Sequence, residues 1–234
     1  MAVSVDRVYQ TVLAIANKEQ RGYITPQEFN LFANQAQNEI FEQYFYDLNQ
    51  MLRIPGNKTV SSDPRDIIEE KIALFRVADV AGGSTLPNSV YRLEGVRYKE
   101  AATQITHTAE EVTKKEFDAY ETAALTRPPV NRPVFYRAGN IITRSPGTLG
   151  LYDNTRIDYI RRPDPPSWTY IVVNGTALVN ASESAGYMDF ELHSAEEKNL
   201  VIKILQYAGV SSKSMDVVQV AAQEESKNIQ QAKS

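Results

Sequence analysis

Residues 23–52 read YITPQEFNLFANQAQNEIFEQYFYDLNQML, and this stretch decides how the rest of the chain is organised. Thr25 carries the side chain of an N-cap, and Pro26 suits the first helical position, where a backbone N–H has no intrahelical partner. Glu28 completes a capping box with Thr25, and Ile24 and Phe29 flank the start as a hydrophobic staple. The spacing of Phe29, Ala33, Ala36, Ile40, Tyr44 and Leu48 predicts one long helix ending near Leu52. Phe32, Phe41 and Phe45 widen its apolar stripe beyond what a single neighbour covers, so these three are candidate subunit-interface residues.

Upstream, Val5, Val8, Tyr9, Val12, Ile15 and Ala16 recur at helical spacing behind Ser4, which predicts a shorter amphipathic helix to about Asn17. The short connection containing Gly22 implies that the two helices pack together as an αα-hairpin. Downstream, residues 53–62 hold turn formers, and Asp63-Pro64 restarts regular structure ahead of Ile67, Ile68 and Ile72, a helix or a helix passing into a strand near Phe75.

From residue 81 to 192 the pattern changes to short strand-like runs separated by Gly and Pro: Val90–Leu93, Val134–Arg137, Ile141–Arg144, Ile157–Arg161, Tyr170–Val173, Ala177–Val179 and Met188–Leu192. Hairpins are expected at Ala138-Gly139-Asn140 and at Asn174-Gly175. The run from Thr108 to Leu125 fits either a helix with paired charges or an exposed arm. Ser194-Ala195-Glu196-Glu197 reads as a second capping box, opening a helix that Gly209 would close. A final helix starts at Ser214 with Val217, Val218, Val220, Ala221, Ala222 and Ile229 on it; its second half, Gln223 to Ser234, is nearly all polar, and Val218 and Ile229 are candidate interface residues. The expected class is α+β: residues 1–80 and 193–234 form a helical bundle with a C-terminal tail, and residues 81–192 form a large, mostly antiparallel β insertion.

Composition narrows the chemistry. The 234 residues include no cysteine, which removes disulfides, thiolate metal sites and a cysteine nucleophile. A formal charge of −4 argues against a chain whose main task is gripping phosphate backbone. The opening Met-Ala-Val-Ser-Val-Asp is unlike a secretory signal, and no apolar run approaches membrane-spanning length, so a protein used without membrane insertion is expected. His107 and His193 lack any nucleophile-elbow context. The adjacent acids Glu110-Glu111, Glu196-Glu197 and Glu224-Glu225 point to different sides of a helix and suit solvated faces or caps. Gly147 to Gly150 does not have phosphate-loop spacing. No catalytic residue, metal site or cofactor is expected. The triplets at Asn57, Asn174 and Asn180 read as turn chemistry.

Arg156, Arg161 and Arg162 cluster beside the Pro163-Asp164-Pro165-Pro166 run and Trp168. They suit either an acidic partner or nucleic acid, or else a β edge charged against edge-to-edge pairing. Trp168 reads as core or as an interface anchor. Arg161, Arg162 and Trp168 therefore join the candidate interface residues.

The strings Ile15-Ala-Asn-Lys-Glu-Gln-Arg-Gly-Tyr-Ile-Thr-Pro-Gln-Glu-Phe-Asn-Leu-Phe-Ala and Tyr44-Phe-Tyr-Asp-Leu resemble the opening of neck proteins of tailed bacteriophages, in crAss-like and related phages. Asp158-Tyr-Ile-Arg-Arg-Pro, Trp168-Thr-Tyr, Phe190-Glu-Leu-His and the residues from Gln219 to Gln231 resemble the same group, whereas residues 81–146 do not. The resemblance implies a head-to-tail connector, an adaptor without enzymatic activity. It would form a homo-oligomeric ring of about twelve copies around the DNA exit channel of the virion neck. Its partners would be further copies of itself, the portal protein and downstream tail or neck rings, with genomic DNA passing without specific binding and no membrane involved. Assembly would take place in the host cytoplasm. A tail-tube ring, a stopper or an assembly scaffold is the alternative within the virion, and an enzyme with a dispersed site is the alternative outside it.

Overall fold

The computed structural model describes residues 2–18, 24–53, 64–82, 84–147, 152–173, 176–182 and 186–211. The fold is mixed α+β, and the chain divides into two compact units, Met1–Leu74 with Pro163–Ser234 and, between them in sequence, Phe75–Arg162. Residues 163–192, expected within the β insertion, belong instead to the first unit.

In the first unit, α1 (Val5–Lys18), α2 (Pro26–Arg53), α3 (Pro64–Ala73) and α5 (Glu197–Ser211) are joined by the hairpin β7 (Tyr170–Val173) and β8 (Thr176–Val179); α4 and strands β1–β6 belong to the second unit. The capping box opens α2 as the sequence predicts. Thr25 N–H and Oγ1 both bond Glu28 Oε2, at 3.0 and 2.8 Å, and Glu28 N–H returns to Thr25 Oγ1 at 3.3 Å. Phe29, Ala33, Ala36, Ile40 and Tyr44 are buried along one stripe. The αα-hairpin expectation needs correction: α1 packs broadly on α5, and α5 packs also on α2, while Tyr9 and Phe29 bring α1 and α2 together at ring centroids 4.7 Å apart. The 14 residues of α1 carry one sharply apolar face, and α5 is the apolar helix it needs to cover it.

The expected cap of α5 also differs. His193, not Ser194, caps the end: its Nδ1 accepts from the Ala195 N–H at 3.2 Å and opens a single 3-10 turn, Ser194–Glu196, before α5 begins at Glu197. Glu196 thereby leaves the surface and becomes buried, and α5 runs on past Gly209 to Ser211. Met188–Leu192 forms no strand. Met188 bridges Ser167 and Phe190 bridges Val3, so the segment is shared between two different partners in single pairings.

The second unit is a six-stranded sheet in the order β1-β6-β2-β3-β4-β5, from β1 (Arg76–Gly82), β2 (Val90–Glu100), β3 (Thr106–Glu111), β4 (Val134–Ala138), β5 (Ile141–Ser145) and β6 (Tyr152–Arg161). Every pairing is antiparallel except β3 with β4, which run parallel and are joined through α4 (Lys114–Thr122). The ambiguous run is thus strand first and helix second. Thr113 and Glu116 form the capping box that separates the two, and Phe117 packs edge-on to Tyr136. The β4–β5 hairpin closes on Gly139, whose φ of +61° suits the first position of a two-residue turn. Leu86, Val90, Val96, Tyr98, Phe135, Ile142, Ile157 and Tyr159 form a core contained entirely within this unit.

A candidate assembly surface on the Trp168 hairpin

The segment 163–168 has three prolines and so few backbone donors of its own, which makes its anchoring a matter of side-chain chemistry. Two amides on α2 supply it. Asn30 receives the Trp168 N–H on Oδ1 at 2.9 Å and donates to the Trp168 carbonyl at 3.1 Å. Gln37, fully buried, donates to the Asp164 carbonyl at 2.7 Å and accepts the Glu191 N–H at 3.1 Å. The geometry follows from two rises: seven residues of helix advance about 10.5 Å, and four residues of extended proline-rich chain span about 12 Å. Positions 30 and 37 therefore meet positions 168 and 164 with the two segments antiparallel.

Trp168 is 1% exposed. Its ring lies 4.2 Å from Tyr9 and 5.7 Å from Tyr170, and its indole N–H donates to Asp6 Oδ1 at 2.9 Å. Directly above, the Asn180 N–H bonds the Thr169 carbonyl at 2.8 Å and Thr169 Oγ1 returns to the Asn180 carbonyl at 2.6 Å, which closes the base of the β7–β8 hairpin. The hairpin thus rises from a base fixed to α1 and α2.

Its strands have a different character. Ile171 at 51%, Val172 at 64% and Leu178 at 48% exposure stand in solvent with Val173 and Val179, and no charged residue occurs from Trp168 to Ala181. Strand alternation puts Ile171, Val173 and Leu178 on one face and Val172, Ala177 and Val179 on the other, so both faces are apolar. Covering the open half of each large side chain would contribute on the order of 1 kcal/mol. Within the described residues this is the densest exposed apolar feature of the first unit; Leu31 and Tyr46 on α2 and Ile67 and Leu74 at α3 are exposed singly.

Two ion pairs, each with one buried member, tie the helices of this unit. Lys203 on α5 meets Glu39 on α2 at 2.8 Å. Lys71 on α3 meets Glu196 at 2.5 Å, and the second Glu196 oxygen accepts from Asn199 at 2.7 Å. Burial first, and then the negative charge of Glu196, pushes the Tyr44 hydroxyl far above the ordinary tyrosine range, so Tyr44 stays neutral beside the pair.

The predicted interface residues fall in several places. Phe41 is 2% exposed and stacks edge-on with Phe45, also buried, at 5.1 Å; Phe32 is half-buried and stacks with Tyr207 of α5. Phe41 in particular has no surface left to offer a neighbour. Arg161 ends β6 and Arg162 follows it, both in the second unit, where the Arg162 guanidinium lies 6.0 Å over Tyr91. The charged-edge reading of this cluster is corrected, because β6 lies between β1 and β2 inside the sheet. Arg156 donates to the Asp79 carbonyl at 3.0 Å, and Arg97 meets Asp158 at 2.8 Å and Asp79 at 3.3 Å. This network holds the β1 bulge, where Asp79 has a φ of +57° and donates its N–H to Asp158 at 2.7 Å. Val218 and Ile229 lie outside the described residues, as do Asn57, Asn174 and Gly175.

His107 faces Glu100 at 3.4 Å, and the Thr103 hydroxyl, followed by His107, holds the Glu100 carboxyl below its usual range. His193 is the helix cap described above. Among the described residues no three His, Asp or Glu side chains gather as metal ligands, and no helix is long and apolar enough to cross a membrane. Sequence reasoning passed over Asn30 and Gln37. Their signal is a pair of amides seven residues apart on the apolar side of a helix, in a chain that also contains a donor-poor proline run. No protein-family model and no curated protein matches the chain.

Proposed function

We propose that the chain is a non-enzymatic structural protein of a tailed-phage virion, a subunit of the head-to-tail connector ring that bridges portal and tail around the DNA exit channel. In this reading the N- and C-terminal helices form the helical-bundle body of the subunit, with the β-rich segment inserted between them in sequence. The observation that carries the reading is the uncharged, doubly apolar β7–β8 hairpin on a base fixed by Trp168, Asn30 and Asp6. A rigid body with an exposed apolar element is what a subunit needs when neighbouring chains complete its packing. The resemblance of both chain ends to phage neck proteins supports the virion context, and the acidic charge balance suits a wall past which DNA slides without sticking. Negative-stain imaging of the purified chain tests the proposal. Closed rings on the order of a dozen subunits are expected, and a field of separate single chains at all concentrations contradicts it.

A further inference from the structure

We infer that copies of this chain join edge to edge through the hairpin, with β7 of one copy pairing antiparallel to β8 of the next. The inference rests on the ring reading and names its contact. Among the described residues β7 and β8 pair only with each other, so each presents one open edge. The bond from Asn180 N–H to the Thr169 carbonyl fixes the alternation of the ladder. By that alternation the backbone groups of Tyr170 and Val172 point away from β7, and those of Ala177 and Val179 point away from β8.

Edges of this kind are normally guarded by charge, proline or a bulge. Neither strand has any of these: Tyr170–Val173 and Thr176–Val179 pair in continuous register without charge or proline. The apolar character on both faces selects the kind of occupant. A helix or loop docking on the hairpin would cover one face, whereas an added strand continues both faces into neighbouring side chains.

The identity of the strand follows from charge. An added strand must be uncharged on both faces, and β1 to β6 all carry charged residues: Arg76 and Asp79, Arg92 and Glu94, Glu110 and Glu111, Arg137, Arg144, Arg156 and Asp158. Only β7 and β8 fit within the described chain. Their compatibility is already realised inside one copy, where Ile171 opposes Leu178 and Val172 opposes Ala177. Repeating that antiparallel pairing between copies is a head-to-tail contact, and head-to-tail contacts close into rings when the rotation allows.

Proline substitution at an outward-facing residue tests this on the full chain. Val172→Pro removes the outward N–H of β7 and leaves the hairpin's own ladder and an apolar side chain in place; Ala177→Pro does the same for β8. Every head-to-tail contact uses both edges. Either variant, with its thermal transition unchanged, is therefore expected to fall from the wild-type assembly to the 26.3 kDa single chain in mass photometry. Val172→Thr, which keeps the N–H, is expected to assemble. If the wild type assembles and both folded proline variants assemble equally well, the hairpin contact is overturned while the ring reading stands. Loss of assembly in Val172→Pro alone overturns the β7-to-β8 pairing in favour of a symmetric contact through β7. A wild type that stays single overturns the ring reading and this contact with it.

Discussion

Gln37 is a residue that hydropathy patterning would misplace, a polar side chain at the centre of an apolar stripe. It is tolerated there because both ends of its amide are used, on Asp164 and Glu191. Truncation removes both bonds of a fully buried amide and leaves the part-buried Asp164 carbonyl and Glu191 N–H without it, so Gln37→Ala is expected to destabilise the first unit by about 1–3 kcal/mol, read from urea denaturation; a cost below the error of that measurement would show that the amide is dispensable. Two exposed carboxylates behave differently. The Thr25 backbone N–H, followed by its hydroxyl, holds Glu28 below the ordinary carboxylate range, and Thr113 does the same to Glu116. A depressed folded-state pKa contributes stability that is present above the unfolded value and is lost as pH falls through the folded one. Both caps are thus expected to hold at neutral pH and weaken below about pH 4. The Glu28→Gln,Glu116→Gln double variant should show a smaller loss of melting temperature between pH 7 and pH 3 than the wild type, and an identical loss would remove the caps from the acid response.

At the scale of elements, local rules read well where the determinant is local. The start of α2, the β4–β5 hairpin and the pairing of Tyr170–Val173 with residues 176–179 follow from caps, turn residues and alternation. Legibility fails where a distant partner decides. Met188–Leu192 has strand composition, yet Val3, Ser167 and Gln37 divide its backbone groups among them. The β1 strand hides because its bulge at Asp79 breaks the alternation, and the Arg97 and Arg156 network that holds the bulge comes from strands far along the chain. Capping at Thr113 was local and readable: Thr113 and Glu116 have the same spacing as Thr25 and Glu28, and they divide β3 from α4. The hairpin's strands were legible as strands. Their exposure was not, since an uncharged run of Val, Ile and Leu reads equally well as a buried pair.

At the scale of the molecule, the helical ends and the sheet were legible as classes, but the boundary between the units was not. Composition changes near residue 81 and again near 193, whereas the units meet at Leu74–Phe75 and Arg162–Pro163. The displacement has a physical origin: residues 163–192 look like the β region in sequence but are held by Asn30, Gln37, Asp6 and Val3. Because its apolar core is self-contained, the segment 75–162 is expected to fold when expressed alone, with a cooperative thermal transition; a non-cooperative melt would show that its core needs the rest of the chain. Phe41 and Phe45, interface candidates because they widen the apolar stripe of α2, are buried within the chain, as is Trp168, for which core was the other reading, and the exposed apolar surface of the hairpin lies on smaller β-branched and aliphatic side chains. The central claim is that this body assembles with copies of itself into a ring. Its most direct test is the native mass of the purified full-length chain in solution. A single closed species of roughly 320 kDa is expected for about twelve copies of the 26.3 kDa chain, and a species that remains at 26.3 kDa up to high micromolar concentration would contradict it.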